Sequence, residues 1–224
     1  MKAKNFIKQE FKGWTKAEYI WLTFCTMVVL AISLYCKDSI ISILGAFTGI
    51  WCTIFTGKGK RSAFIFGVFN VFLYSYISYK AQYYGEVMLN MLYFMPMNII
   101  GWFAWAKHLD KNTYVVIKNT LAPKKKIFVY CITAIGIFIY GIILKSIGGN
   151  LPYIDSMSTI ISITAQALSI KRFAEQWILW IIVDAVTVIM WALNFADGGE
   201  NIAMLIMWSI YLINGIMMFI KWQK

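Results

Sequence analysis

The feature that most constrains this chain is a succession of long apolar runs. A helix that crosses the roughly 30 Å hydrocarbon layer needs about 20 mostly apolar residues. Runs of that length recur at about 17–36, 38–57, 62–80, 85–107, 125–146, 153–170, 174–195 and 200–221. They are continuously apolar rather than alternating, which predicts helices and not the strands of a barrel. The first run is too long for the h-region of a signal peptide and has no small-residue cleavage site behind it, so it is expected to persist as a helix. The 224 residues leave no room for a separate soluble domain. The expectation is an all-α integral membrane protein of about eight transmembrane helices, with the lipid bilayer as its first partner.

Charge supports that count. Only 14% of residues are charged and the formal net charge is +11, where a soluble domain carries about 25% charged residues. The basic residues lie in short segments between apolar runs, so they set topology rather than bind nucleic acid. With eight spans, Lys37, Lys80 and Lys145 alone fall on one side, and every other Lys and Arg falls on the side that holds both termini. By the positive-inside rule both termini are cytoplasmic. The basic 107–126 segment is then a cytoplasmic loop.

The chain also matches itself weakly at an offset of 114. Asn70 pairs with Asp184, Gly85 with Gly199, Glu86 with Glu200, Gly101 with Gly215 and Lys107 with Lys221. Asp38-Ser39 opens one span as Asp155-Ser156 opens another, and Lys60-Arg61 corresponds loosely to Lys171-Arg172. Spans two to four thus resemble spans six to eight, in the same orientation, with one span between. Such a parallel 3+1+3 repeat is a standard build of transporters, with the solute site between the halves. The expected segments are 1–37, a cytoplasmic N-terminus and accessory helix; 38–107, the first repeat; 108–152, a cytoplasmic loop and linker helix; and 153–224, the second repeat.

The polar residues within the runs mark the candidate site. Asp184 is the one acid near the middle of a run, where an ionised carboxylate costs at least ~2.5–3.5 kcal/mol. Trp177, Trp180 and Asp184 stand at i, i+3 and i+7 and share a helical face. Two indoles and an acceptor suit a flat aromatic ligand with polar substituents. Asn70 is the repeat mate of Asp184. Asn90, Tyr93 and Asn98 flank Pro96, whose missing N–H frees a carbonyl and kinks a helix; Asn90 and Tyr93 are placed on one face. Gln166 lies in the sixth span and Asn214 in the eighth. Each amide alone reads as an interhelical hydrogen bond worth ~0.6 kcal/mol, and together they outline a shared polar cavity. Gly45, Gly49, Gly67, Gly101 and Gly215 are expected to allow close helix packing.

Catalysis finds no support. The cysteines at 25, 36, 52 and 131 form no C-x-x-C pair, and the single histidine, His108, stands beside Lys107 in a basic loop. They read as packing and solvated residues. No phosphate loop, metal cluster or nucleophile with a base appears, and no cofactor is expected.

At these residues the chain resembles the PnuC family of bacterial vitamin transporters, from about residue 38 to its end. The resemblance rests on Glu175-Gln176-Trp177-Ile178-Leu179-Trp180 followed by Asp184, on Gly85-Glu86 leading to Asn90-Met91-Leu92-Tyr93, and on Gly101-Trp102. It implies a SWEET-like 3+1+3 fold with a departure in the extra first helix. It implies facilitated uptake of nicotinamide riboside or a similar vitamin across the cytoplasmic membrane, retained through phosphorylation by a separate riboside kinase. Trp177, Trp180 and Asp184 match the family's substrate motif; Asn90, Tyr93 and Gln166 follow by span and face. Still open are proton- or cation-coupled carriage of thiamine or riboflavin, a non-transporting membrane subunit, and a homo-oligomeric state. An intramembrane enzyme would need a second catalytic group near Asp184, and the sequence offers none.

Overall fold

The computed structural model describes residues 2–146, 148, 152–198 and 201–223, apart from the side chains of residues 2–4 and 152. Among these the chain is helical almost throughout. The helices are α1 (Lys2–Glu10), α2 (Lys16–Tyr35), α3 (Ile40–Lys58), α4 (Ala63–Lys80), α5 (Tyr84–Met88), α6 (Met95–Ala106), α7 (Pro123–Ser146), α8 (Pro152–Ile170), α9 (Gln176–Ala196) and α10 (Ile202–Trp222). A π-helical segment, Leu89–Phe94, joins α5 to α6. Local chemistry sets the ends. Thr15 and Glu18 form a capping box on α2, Ser39 caps α3, and Gly59 closes α3 at φ +80°, a left-handed conformation that favours glycine.

Among the described residues six segments are long and apolar enough to cross a membrane: α2, α3, Tyr84–Ala106, α7, α9 and α10. Large apolar side chains such as Phe24, Phe69, Phe103, Phe138 and Ile189 stand exposed on the outer surface, as expected where lipid is the solvent. α3 packs against α2, α4 and α10; α9 packs against α8 and α10; α7 packs on α8, and α6 on α4 and α8. Small residues permit these approaches. A Cβ at Gly49 would overlap Tyr211 and Met207, and one at Gly101 would overlap the Phe64 ring. The repeat pairs Gly85–Gly199 and Glu86–Glu200 are only half visible, since Gly199 and Glu200 lie outside the described residues.

One end of the molecule carries α1, the end of α10 and a polar clamp. The Trp222 indole N–H donates to the Gly57 carbonyl (2.8 Å), which sets the end of α10 beside the end of α3. The buried Glu10 carboxylate of α1 accepts from the Ser62 hydroxyl (2.6 Å) and backbone N–H (3.3 Å). Lys60, fully buried, donates to the carbonyls of Gln9 (3.0 Å) and Thr113 (2.7 Å). The 107–122 connection is therefore no free loop. Its Val116 N–H donates to Gly59 (2.8 Å), and Asn119 exchanges backbone bonds with Arg172 and Ala174 (2.9 Å each). It ties the α3–α4 turn to the α8–α9 turn.

Burial pushes the Lys60 ammonium down from 10.5 to about 8. Between those values the unfolded chain binds more protons than the folded one, so stability rises with pH over that window. Below about pH 8 both states are charged and the burial penalty is fully present. The melting temperature of the purified protein, relative to a Lys60→Met variant, should therefore climb from pH 8 toward pH 10.5. A constant difference between the two would show that the amine is already solvated.

Candidate functional site: an aromatic and acidic cavity

The α9 face expected to carry the site is held from its first turn. Glu175 is buried, accepts from the Leu121 N–H (3.1 Å) and pairs with Lys126 (2.8 Å). Gln176 donates to the Phe173 carbonyl (3.1 Å). With the helix start so fixed, Trp177, Trp180 and Asp184 all line one cavity of about 120 Å³ between the helices. Trp177 packs edge-on against Trp222, with ring centroids 5.6 Å apart. Trp180 tilts toward Phe94 at 6.1 Å. Asp184 is 3% exposed, and no described residue donates to its Oδ1.

Asn70, Asn90, Asn98 and Gln166 line the same cavity. The Asn70 NH2 donates to Gly45 (2.9 Å), that of Asn90 to Glu86 (2.8 Å) and that of Asn98 to Phe94 (2.9 Å), in each case to a backbone carbonyl. Those bonds orient each amide. They leave the amide oxygens as acceptors that no donor among the described residues reaches. Gln166 makes no hydrogen bond to any described residue.

Two expected residues fall elsewhere. Tyr93 does not line the cavity; its hydroxyl donates to the Ile163 carbonyl (2.8 Å) and staples the π segment to α8. The reason is the π segment itself. Pro96 cannot donate to Leu92, and the helix ahead of it widens so that the Met95 N–H reaches back to Asn90. The wider turn shifts the register, so Glu86, Asn90, Phe94 and Asn98 line the cavity at every fourth residue, and Asn90 and Tyr93 part. Asn214 is likewise outside. It donates to Thr53 (3.2 Å to the carbonyl, 3.4 Å to the hydroxyl) and accepts from the Trp21 indole (3.4 Å).

Residues not expected in the site complete the wall. Glu86 places a second carboxylate in the cavity, so Asp184 is not its only acid. Tyr74, Trp208 and Tyr211 form an aromatic side, with Tyr74 accepting from the Trp191 indole (3.1 Å) and Trp208 5.0 Å from the Tyr211 ring. Cys52, Thr53 and Thr56 contribute from α3. Four-residue spacing from Glu86 to Asn98 was the available signal for Glu86; the α3 residues left none. Among the described residues no Lys, Arg or His lines the cavity, and no group of metal-ligating side chains occurs.

Gly67 sets how closely Asn98 approaches α4, because a Cβ there would overlap the Asn98 amide. Gly67→Ala should therefore lower thermal stability through overpacking, typically about 1–3 kcal/mol. A melting curve in detergent measures it, and an unchanged midpoint would mean that Asn98 has room to move.

Helices that enclose an aromatic, acceptor-lined cavity within an apolar exterior define the class of a multi-pass membrane transporter for a small molecule. The model of the nicotinamide mononucleotide transporter family matches residues 39–224, and the chain belongs to that family. It is 35% identical to a nicotinamide riboside transporter of Neisseria mucosa, over 97% of this chain and 84% of that protein. It is 29% identical to the Haemophilus influenzae protein of the same description, over 97% and 95%. A crystal structure of a vitamin B3 transporter superposes with a TM-score of 0.89 at 35% identity, covering 98% of this chain and 96% of that one.

Proposed function

We propose that this chain carries nicotinamide riboside across the membrane by facilitated diffusion. The observation that carries the reading is the cavity: indoles at Trp177, Trp180 and Trp208, carboxylates at Asp184 and Glu86, amide oxygens at three asparagines, and no basic side chain among the described residues. Nicotinamide riboside is the complement of that wall. Its pyridinium ring is flat and cationic, which suits indole faces, and its carboxamide and ribose hydroxyls donate to acceptors. The mononucleotide adds a phosphate, which two carboxylates and no lysine or arginine would disfavour. The riboside is thus the better substrate of the two. Retention follows if a cytoplasmic kinase adds that phosphate and so makes the product a poor ligand for return.

The path is read as eight spans, with α4 and α8 crossing alongside the six most apolar segments. Residues 38–107 and 153–224 form parallel halves, 1–37 an accessory segment and 108–152 the connection. Reciprocal packing of α3 on α10 and of α8 on α6 supports this, since each half sets its first span against the third of the other. So does the placement of Asn70 and Asp184 in one cavity. The charge partition supports cytoplasmic termini in a bacterial inner membrane.

Titration calorimetry with nicotinamide riboside, nicotinamide mononucleotide, thiamine and riboflavin tests the ligand. The riboside should bind and the mononucleotide should bind more weakly; no binding of the riboside would sink the proposal. The two acids in one cavity favour a second reading, ion-coupled transport. Uptake into liposomes decides between the two, because accumulation above the external concentration that an ionophore abolishes would exclude facilitated diffusion.

A further inference from the structure

We propose that a second cavity, between α2, α3 and α10, holds the phosphate of an anionic phospholipid. It has a volume of about 190 Å³ and lies apart from the central one. Glu18 stands in its wall and accepts from Lys58 (2.7 Å), from Lys221 and from the Thr15 N–H (2.8 Å). Two lysines share one carboxylate, leaving a single positive charge unmatched. Lys118, stacked 4.9 Å over Trp222, adds a further positive field at Lys58 and Lys221. A phosphodiester carries one negative charge and neutralises the Glu18–Lys58–Lys221 cluster, with Lys118 adding attraction from outside the cavity wall.

The position fits a lipid rather than a soluble anion. Lys16 opens α2, Lys58 closes α3 and Lys221 lies in the last turn of α10, so the cavity sits where apolar helices end and headgroups begin. Its other lining is amphipathic. Trp14 and Trp21 offer indoles of the kind that anchor at the interface, while Ile54 and Met217 offer apolar surface for a glycerol and the start of an acyl chain. The outer face of α2, with Ile20, Phe24 and Met27 exposed, leads the acyl chain into the bilayer. Basic pockets between membrane helices hold anionic headgroups by this combination.

Native mass spectrometry of the purified protein with phosphatidylglycerol, phosphatidylcholine or inorganic phosphate tests the site. Phosphatidylglycerol should bind in preference to phosphatidylcholine, and inorganic phosphate should not compete at equal concentration. Loss of two surface-level lysines in Lys58→Gln/Lys221→Gln should weaken phosphatidylglycerol about 30-fold. Glu18→Gln, which frees both lysines, should tighten it, whereas a cluster that serves only as an ion-pair staple would show no change in lipid preference. If the double variant does not fold, the half-exposed Lys221→Gln and Glu18→Gln decide alone, by moving affinity in opposite directions. Equal binding of the two lipids, retained affinity in the lysine variants, or competition by inorganic phosphate would each overturn the proposal.

Discussion

Asp184→Ala is expected to move binding and stability in opposite directions. The carboxylate is 3% exposed, with an Oδ1 that no described residue satisfies. A buried polar atom without a partner costs about 1–3 kcal/mol, so its removal relieves the fold. The midpoint of thermal unfolding should rise, at about 2–4 °C per kcal/mol for a chain of this size. Without that acceptor a ligand donor buried in the cavity goes unpaired, at a cost of about 1–3 kcal/mol. Binding of nicotinamide riboside should therefore weaken by about 5- to 150-fold. Asp184→Asn, which keeps one acceptor oxygen, should fall between. Calorimetry and a melting curve on the same preparations separate the roles. If both affinity and melting temperature fall, Asp184 is a strut between helices; if affinity holds, the ligand lies elsewhere.

Trp180→Ala carries the second large effect. Trp180 is half-buried and lines the cavity beside Phe94, so part of its ring is left for a ligand. Stacking of a heteroaromatic base on such a ring contributes about 1–3 kcal/mol as judged by alanine substitution. Riboside affinity should drop about 5- to 150-fold, and Trp180→Phe should recover most of it because a π face remains. Trp177 makes the contrasting case. It is 2% exposed, and Trp105 and Trp222 pack in the same buried cluster. Trp177→Ala should cost about 3–5 kcal/mol of stability, the usual range for a buried aromatic. A Trp180→Ala protein that binds normally would move the stacking role to Trp208 or Trp177.

The spans were legible because lipid imposes one simple requirement. A crossing segment must satisfy its backbone internally and present apolar side chains, so the runs at 38–57 and 174–195 reappear as α3 and α9 almost residue for residue. The α9 face was legible for a related reason. A regular helix repeats every 3.6 residues, and nothing between Gln176 and Asp184 interrupts it. The fourth span was not, although Pro96 was in view. Proline signals that a backbone bond is lost, but whether the helix kinks, frays or widens depends on its neighbours. Here the helix widens into a π turn, and the Tyr93 hydroxyl meets the Ile163 carbonyl on α8. That one-residue shift brings Glu86 into the cavity and turns Tyr93 out of it.

Asn214 marks the same boundary. Its position inside an apolar run identified a polar group that had to be satisfied, and only packing decided that Thr53 and Trp21 would satisfy it. By itself the sequence determined the solvent, the helices and the face of α9 that bears two indoles and an acid. The tertiary structure alone decided which other helices meet that face, and with them the second carboxylate, the orientation of the asparagines and the absence of any basic side chain from the wall. The division has a physical cause. Helices in lipid form from local backbone requirements, whereas their approach depends on pairwise fit, such as Gly49 under Tyr211 or Gly67 under Asn98, which no single segment encodes.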